Sequence, residues 1–139
     1  IGIALDVAST EFLKDDGYHM DGRALSSDDL VELYGGWLDQ YPILSIEDGF
    51  GEDDWRGWAA FTKAYGHRVQ TVGDDLFVTQ SERLSQGIEL GAANAMLVKV
   101  NQVGTVTETL EAMDLASTNG MNNVVSHSSG ESEDVTIAD

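Results

Sequence analysis

The sequence predicts an α/β fold, and three observations lead to that prediction. Short apolar runs alternate with segments of helical periodicity five times along the chain. The apolar runs are continuous, which is the pattern of strands buried on both faces of a parallel sheet. Ionisable residues recur at the ends of these runs. Repeated strand–helix units of this kind occur in a (β/α)₈ barrel and in a doubly wound open sheet.

Strands are predicted from the apolar runs at residues 1–5, 43–46, 69–72, 95–100 and 124–126. The first helix is predicted over residues 26–41, where apolar side chains fall on one stripe with a period of 3.6 residues. Ser26 or Ser27 is its expected N-cap, and Pro42 ends it.

Further helices are predicted at residues 53–65, 79–91, 105–120 and from 131 onward. Thr79 and Thr105 each precede a glutamate by three residues, which is the capping-box pattern that opens a helix. The segment 14–25 interrupts the alternation with two Asp-Gly turn dipeptides. We expect an inserted loop or a small hairpin there.

Composition excludes several classes of protein. The 139 residues include 7 basic and 25 acidic side chains, a net charge of −18, and 42% are hydrophobic, which is enough for a packed core. The charge argues against nucleic acid and anionic membranes as partners, because their phosphates would be repelled. No apolar run approaches the roughly 20 residues of a membrane helix. The absence of cysteine excludes a disulfide scaffold, and we expect a cytoplasmic protein.

Both ends of the chain fall inside predicted elements. Ile1 begins an apolar strand, and Asp139 lies in the first turns of a helix. Natural termini are usually polar and frayed, so we expect a fragment of a longer protein.

One ionisable residue lies at or just past the end of each predicted strand: Asp6, Glu47, Asp74, Lys99 and His127. The last three intervals, of 27, 25 and 28 residues, each fit one strand–helix unit, and the first contains the insertion. Parallel strands point the same way, so a barrel would bring these side chains to one mouth, where such barrels hold their active sites. An open sheet would spread them along one edge.

The chemistry of this set is coherent. Three carboxylates, Asp6, Glu47 and Asp74, suit a hard divalent cation such as Mg²⁺. Burial near a cation would destabilise the ammonium form of Lys99, which could then act as a general base near neutral pH. The cation would stabilise an enolate-type anion. The structural alternatives are acids placed before helix N-termini, a Lys99 ion pair with one of them, and a hydrogen-bonded His127.

Five motifs, in order and with the right separations over essentially the whole chain, resemble the enolase family: Ala4-Leu5-Asp6-Val7-Ala8, Ser45-Ile46-Glu47-Asp48 with Asp53-Asp54-Trp55, Val72-Gly73-Asp74-Asp75-Leu76, Lys99-Val100-Asn101-Gln102-Val103-Gly104-Thr105, and Ser126-His127-Ser128-Ser129-Gly130-Glu131-Ser132-Glu133-Asp134. The last two are the most specific. The resemblance implies a partial (β/α)₈ TIM-type barrel of about five units, matching strands three to seven of the family's C-terminal catalytic barrel. It also implies that the N-terminal capping domain and the last barrel strand lie outside residues 1–139.

The implied activity is the Mg²⁺-dependent loss of water from 2-phosphoglycerate to give phosphoenolpyruvate in glycolysis, reversible in gluconeogenesis. Enolase-superfamily sites are themselves the standard example of a Lys or His base working beside one or two Mg²⁺. By resemblance, Asp6, Glu47 and Asp74 match the metal ligands and Lys99 matches the base. The substrate-binding positions are Lys99, His127, Ser128 and Ser129. The implied partners are this small-molecule substrate and a second copy in a homodimer of the full-length protein.

Ser128 departs from the family pattern. Family members carry an arginine there that grips the substrate phosphate, and a serine cannot replace a planar, charged, bidentate donor. Three hypotheses stay open: an enolase with a variant at Ser128, an enolase-derived binding or structural protein that has lost turnover, and a superfamily member acting on another carboxylate acid. The two specific motifs weigh against the last. The 139-residue chain alone is expected to be inactive, because other parts of the site lie outside it.

Overall fold

The computed structural model describes residues 1–127. In chain order the elements are β1 (Ile3–Asp6), a 3₁₀ turn (Ser9–Phe12), β2 (Leu13–Lys14), β3 (Gly17–Met20), β4 (Arg23–Leu25), α1 (Ser27–Gln40), β5 (Ile43–Glu47), α2 (Trp55–Tyr65), β6 (Gln70–Gly73), α3 (Ser81–Leu90), β7 (Ala95–Val98), α4 (Val100–Val103), α5 (Val106–Thr118) and β8 (Asn122–Val125).

Five strands form one parallel sheet in the order β1-β5-β6-β7-β8. A helix follows each of the first four strands of this sheet before the chain enters the next, which is the repeated strand–helix connection that parallel neighbours require. The α/β prediction is therefore confirmed. Three of the five strand predictions agree with the structure to within one residue at the start, and the first and last differ by two residues, as expected for element boundaries.

The two faces of the sheet differ, and the difference favours a barrel over a doubly wound sheet. One cluster of buried side chains joins helices to strands, including Tyr34 of α1, Phe61 of α2 and Met96 of β7. A second cluster, Val72, Ala95 and Leu97 with Val124 packed against it, consists of strand residues alone. A doubly wound sheet would carry helices on both faces, whereas a barrel keeps them outside and fills its interior with strand side chains.

The expectation that all five strands are buried on both faces is wrong for the outer two, and in β5 Leu44 is 62% exposed. All four residues of β7 are buried, but Ile3 of β1 is 38% exposed and Val125 of β8 is 48% exposed. Among the described residues, β1 pairs only with β5 and β8 only with β7. Each therefore lacks a neighbour along one edge, and that edge is open to solvent.

Helix starts follow the predicted caps in two places and differ in one. Ser26 caps α1 in a reciprocal box with Asp29, and the Thr105 hydroxyl accepts from the Glu108 amide at the start of α5. The Thr79 capping box is wrong, because α3 begins at Ser81 and its N-cap, Gln80, makes no side-chain cap bond. Strand β7 also ends earlier than predicted, since Val100 belongs to the short helix α4.

The insertion at residues 14–25 forms a small antiparallel sheet of β2, β3 and β4, so the hairpin prediction is confirmed. Tyr18, which is 2% exposed, anchors this sheet to the main body. Its hydroxyl donates to Asp54 Oδ2 at 2.7 Å and accepts from the Gly51 amide at 2.9 Å. Because Asp54 also caps α2, the small sheet is fixed relative to the loop after β5.

No helix within residues 1–127 is both long and apolar enough to cross a membrane.

Candidate active site

The five predicted site residues lie where their strands end. Asp6 and Glu47 are the last residues of β1 and β5 and face each other in register. Asp74 directly follows β6, Lys99 directly follows β7, and His127 lies two residues beyond β8. Because the five strands are parallel, all of these residues lie along the edge that is formed by the carboxyl ends of the strands.

Lys99 and Asp74 form an ion pair at this edge. Lys99 Nζ donates to Asp74 Oδ2 at 2.5 Å, and the two side chains retain only 21% and 11% of their exposure. The other carboxylate oxygen, Asp74 Oδ1, accepts from Gln102 Nε2 at 2.7 Å. The ion pair considered as the structural alternative for Lys99 is thus present, and it lies inside the proposed site.

The pKa of Lys99 is raised, which is opposite to the expected direction. Burial lowers the pKa, but the hydrogen bond that Lys99 donates to Asp74 and the charges of Asp74, Glu47 and Asp75 outweigh burial. Negative neighbours stabilise the ammonium form, so these side chains by themselves keep Lys99 protonated. The sequence-based expectation had placed a cation beside Lys99, whereas the groups that surround it here are carboxylates.

The carboxylates near Lys99 repel one another. Burial, together with the charges of Asp6, Asp48 and Asp74, raises the pKa of Glu47 to about 7 against the opposing effect of Lys99. Burial likewise raises the pKa of Asp48 to about 7. The pKa of Asp75 is also raised, by burial and then by the charge of Asp74. Negative charge at this edge therefore exceeds what Lys99 can balance.

Asp48 is a site residue that sequence reasoning did not single out. Within residues 1–127, Asp48, Asp74 and Asp75 form a carboxylate group that could hold a metal ion. One oxygen from each of the three lies within 4.8 Å of the other two. Asp48 Oδ1 accepts from the Asp74 amide at 3.0 Å, and Oδ2 accepts from the Asp75 amide at 2.9 Å. Each Asp48 oxygen is already engaged by the main chain, so its evident role is to hold the loop that presents Asp74. The sequence signal was the doubled acid Glu47-Asp48.

The predicted metal ligands are not one compact triad in this structure. Asp74 belongs to the group just described, whereas Glu47 is half-buried beside it and Asp6 is exposed. Glu47 nevertheless feels the charges of both Asp6 and Asp74, so the three face a common region. The assignment of Asp6, Glu47 and Asp74 as ligands stays a prediction.

The helix-dipole explanation for the paired acids does not hold. Asp48 and Asp75 lie seven and six residues before the first residues of α2 and α3. The helix dipole acts within about one turn, so these acids need another reason to be there. The bonds from the Asp74 and Asp75 amides to Asp48, and the ion pair of Asp74 with Lys99, supply that reason.

His127 is exposed beyond β8, and its carbonyl accepts from the Ser126 hydroxyl at 3.1 Å. Ser128 and Ser129, predicted to bind substrate, lie outside the described residues, as does the helix predicted from residue 131.

The family model for the enolase C-terminal TIM barrel domain matches residues 1–139, the whole chain. The chain belongs to the enolase C-terminal domain family. Membership makes it an enolase-like lyase domain, and it agrees with the partial barrel seen in the parallel sheet. In such barrels the active site lies at the carboxyl ends of the strands, which is where Lys99 and the acidic residues lie.

Proposed function

We propose that this chain carries the metal-binding and proton-abstracting part of an enolase that converts 2-phosphoglycerate to phosphoenolpyruvate. One observation carries the proposal. In a member of the enolase C-terminal domain family, Lys99 Nζ lies 2.5 Å from Asp74 Oδ2 within a cluster of carboxylates at the carboxyl edge of the barrel sheet. This arrangement supports the proposal, because removal of a proton next to a carboxylate needs an amine to accept the proton and oxygen ligands for a cation.

The donor set fits a hard divalent cation, with Mg²⁺ the proposed ion. The side chains concerned are carboxylates, which suit Mg²⁺, and burial with mutual repulsion raises the pKa of Glu47 to about 7. We propose that Asp6, Glu47 and Asp74 hold the cation and that Asp48 supports them by fixing the Asp74 amide. The cation, when bound, would stabilise the negative charge that develops on the substrate carboxylate.

Lys99 must be neutral to accept a proton from C2 of the substrate. Its pKa is raised by Asp74, Glu47 and Asp75, the first two of which are proposed ligands. Once these carboxylates are neutralised, their pull on the Lys99 ammonium weakens and burial, which lowers the pKa, has more influence. The hydrogen bond between Lys99 Nζ and Asp74 then serves mainly to orient Nζ.

In this proposal His127 contacts the substrate, and phosphate recognition falls to Ser128 and Ser129, because these positions match the family's substrate contacts. Ser128 also favours the second candidate function, an enolase-derived binding or structural protein without turnover, since a serine lacks the charge of the family's arginine. We further propose that the complete protein is cytoplasmic, glycolytic and a homodimer. Family membership supports the location, the pathway and the dimer. The net charge of −18 supports a partner other than nucleic acid.

The test uses the complete gene product with Mg²⁺ and 2-phosphoglycerate, and follows phosphoenolpyruvate by its ultraviolet absorbance. Lys99→Ala should lower kcat by about 10²–10⁴-fold, the usual contribution of a general base. Lys63→Ala on the exposed face of α2 is the matched control and should leave kcat unchanged. A wild-type protein that binds 2-phosphoglycerate without turnover would favour the second candidate instead.

A further inference from the structure

Two consecutive β-branched residues in the loop after β6 have left-handed backbone conformations. The φ angle is 42° at Val78 and 54° at Thr79. A β-branched residue at positive φ is a genuine outlier, and such conformations persist only where the surroundings enforce them. The Val78 amide donates to the Asp74 carbonyl at 2.7 Å. The strained pair therefore completes a tight turn that begins at Asp74, a residue of the proposed site.

The turn aims the Thr79 hydroxyl at the site instead of at the start of α3. Thr79 is fully buried, and its Oγ1 accepts from the Lys99 amide at 3.0 Å. The same oxygen lies 2.6 Å from Gln102 Oε1 and 3.4 Å from the Leu97 carbonyl. A hydroxyl has one proton to donate, and the shorter contact to Gln102 takes it.

Gln102 carries this constraint to the ion pair. Because its oxygen receives the Thr79 proton, its amide nitrogen is turned towards Asp74, where Nε2 donates to Oδ1 at 2.7 Å. The other oxygen of Asp74 accepts from Lys99 Nζ. The contacts thus close a ring in which Thr79 holds both the main chain of Lys99 and, through Gln102, the carboxylate that orients the Lys99 side chain.

We infer that Thr79 is a positioning residue for the proposed base, and that the strain at Val78 and Thr79 persists because it aims this hydroxyl at the Lys99 amide and Gln102. Without the hydroxyl, the Lys99 amide loses its acceptor, and Gln102 is free to turn its amide group and release Asp74 Oδ1. A displacement of the base of even 1 Å slows proton transfer strongly. The kinetic consequence rests on the proposed function, whereas the positioning of Lys99 does not.

The experiment compares Thr79→Val, which keeps the shape and removes the hydroxyl, with Thr79→Ser, which restores it. Thr109→Val is the matched control, because Thr109 is also buried and its hydroxyl donates only to a helix carbonyl. The complete gene product is labelled with ¹⁵N-lysine, and Lys99→Arg identifies the Lys99 amide signal. Amide hydrogen exchange of Lys99 is measured first without substrate or cation. Steady-state kinetics follow with Mg²⁺ and 2-phosphoglycerate.

Thr79→Val should speed exchange of the Lys99 amide by about tenfold or more and lower kcat by about 10- to 100-fold, with KM changed less than about twofold. Thr79→Ser should restore both quantities to within about threefold of wild type, and Thr109→Val should change neither. Unchanged exchange in Thr79→Val, or no rescue by Thr79→Ser, would overturn the inference.

Two further outcomes keep the inference separate from folding and from the proposed function. If Thr79→Val does not fold, Gln102→Met replaces it. Gln102 is only half-buried, so removal of its side-chain amide should change the melting temperature little. The Gln102→Met variant should lower kcat about tenfold, and an unchanged kcat would overturn the inference. If the wild-type protein does not turn over 2-phosphoglycerate, the proposed function fails, while the exchange of the Lys99 amide still decides the positioning.

Discussion

Replacing Asp74 by Asn is the change whose effect follows most directly from the geometry. Asp74 accepts from Lys99 Nζ at 2.5 Å through one oxygen and from Gln102 Nε2 at 2.7 Å through the other. Asn offers a single acceptor oxygen, so one of the two donors loses its partner unless Gln102 turns its amide. If Gln102 turns, Thr79 faces an amide nitrogen in place of the oxygen that accepts its proton. The Thr79 hydroxyl is then left with only its longer contact, to the Leu97 carbonyl at 3.4 Å, for its proton.

The expected loss of stability can be bounded from burial and charge. Removing one partner of a fully buried ion pair costs about 3–5 kcal/mol. Here the side chains keep 21% and 11% of their exposure, so water can solvate part of the Lys99 charge. Removing the charge of Asp74 also relieves repulsion with Glu47 and Asp75. We therefore expect Asp74→Asn to lower the free energy of unfolding by about 1–3 kcal/mol, and to lower the pKa of Lys99.

Urea denaturation of the complete gene product without divalent cations measures this change. Asp53→Asn is the matched control, because Asp53 pairs with Arg83 at 3.2 Å but is 76% exposed. Exposed pairs contribute about 0–1 kcal/mol, so the control should change stability little. Calorimetry with Mg²⁺ should then show affinity weakened by more than about tenfold in Asp74→Asn. A stability loss no larger than that of Asp53→Asn, together with unchanged Mg²⁺ affinity, would refute the reasoning.

Three other predictions concern substrate, pH and the isolated chain. Ser128→Arg should lower KM for 2-phosphoglycerate by about tenfold, because a charge-assisted bidentate contact is stronger than a neutral one; an unchanged KM would mean that another basic group already holds the phosphate. The pKa values of Glu47 and Asp48 are raised from 4.5 and 3.8 to about 7, so the folded protein binds these protons more tightly than the unfolded chain. Without Mg²⁺, melting temperature should therefore fall as pH rises from about 4 to 7 and level off above it, whereas a melting temperature that rises over this range would contradict the assignment. The 139-residue chain alone should give no phosphoenolpyruvate and should associate or partly unfold, because the described sheet has two open edges; a compact, active monomer by light scattering would contradict this.

The element order could be predicted from the sequence because each signal was local. The N-caps at Ser26 and Thr105 and the turn dipeptides of the small sheet act over three or four residues, and the structure confirms all three. The alternation of strands and helices fixed the order in which ionisable residues follow the strands. These features depend on neighbours in the chain and not on distant contacts.

Features set by distant contacts could not be predicted in this way. Thr79 matched a capping box, but its hydroxyl bonds across 20 residues to the Lys99 amide, which only the fold brings near. The pKa of Lys99 rises because carboxylates from the ends of two strands, β5 and β6, meet there, although burial alone would lower it. The exposure of β1 and β8 depends on which strands pair, and an apolar run looks the same at an edge as at the centre of a sheet.

Exchange of the C2 hydrogen of 2-phosphoglycerate with deuterated solvent tests the central claim most directly. This exchange, followed by NMR, reports proton removal alone and does not depend on loss of the hydroxyl group. The complete gene product with Mg²⁺ should catalyse it, and Lys99→Ala should slow it by at least about 100-fold while Lys63→Ala does not. Exchange at the wild-type rate in Lys99→Ala would show that another group removes the proton and would contradict the role proposed for Lys99.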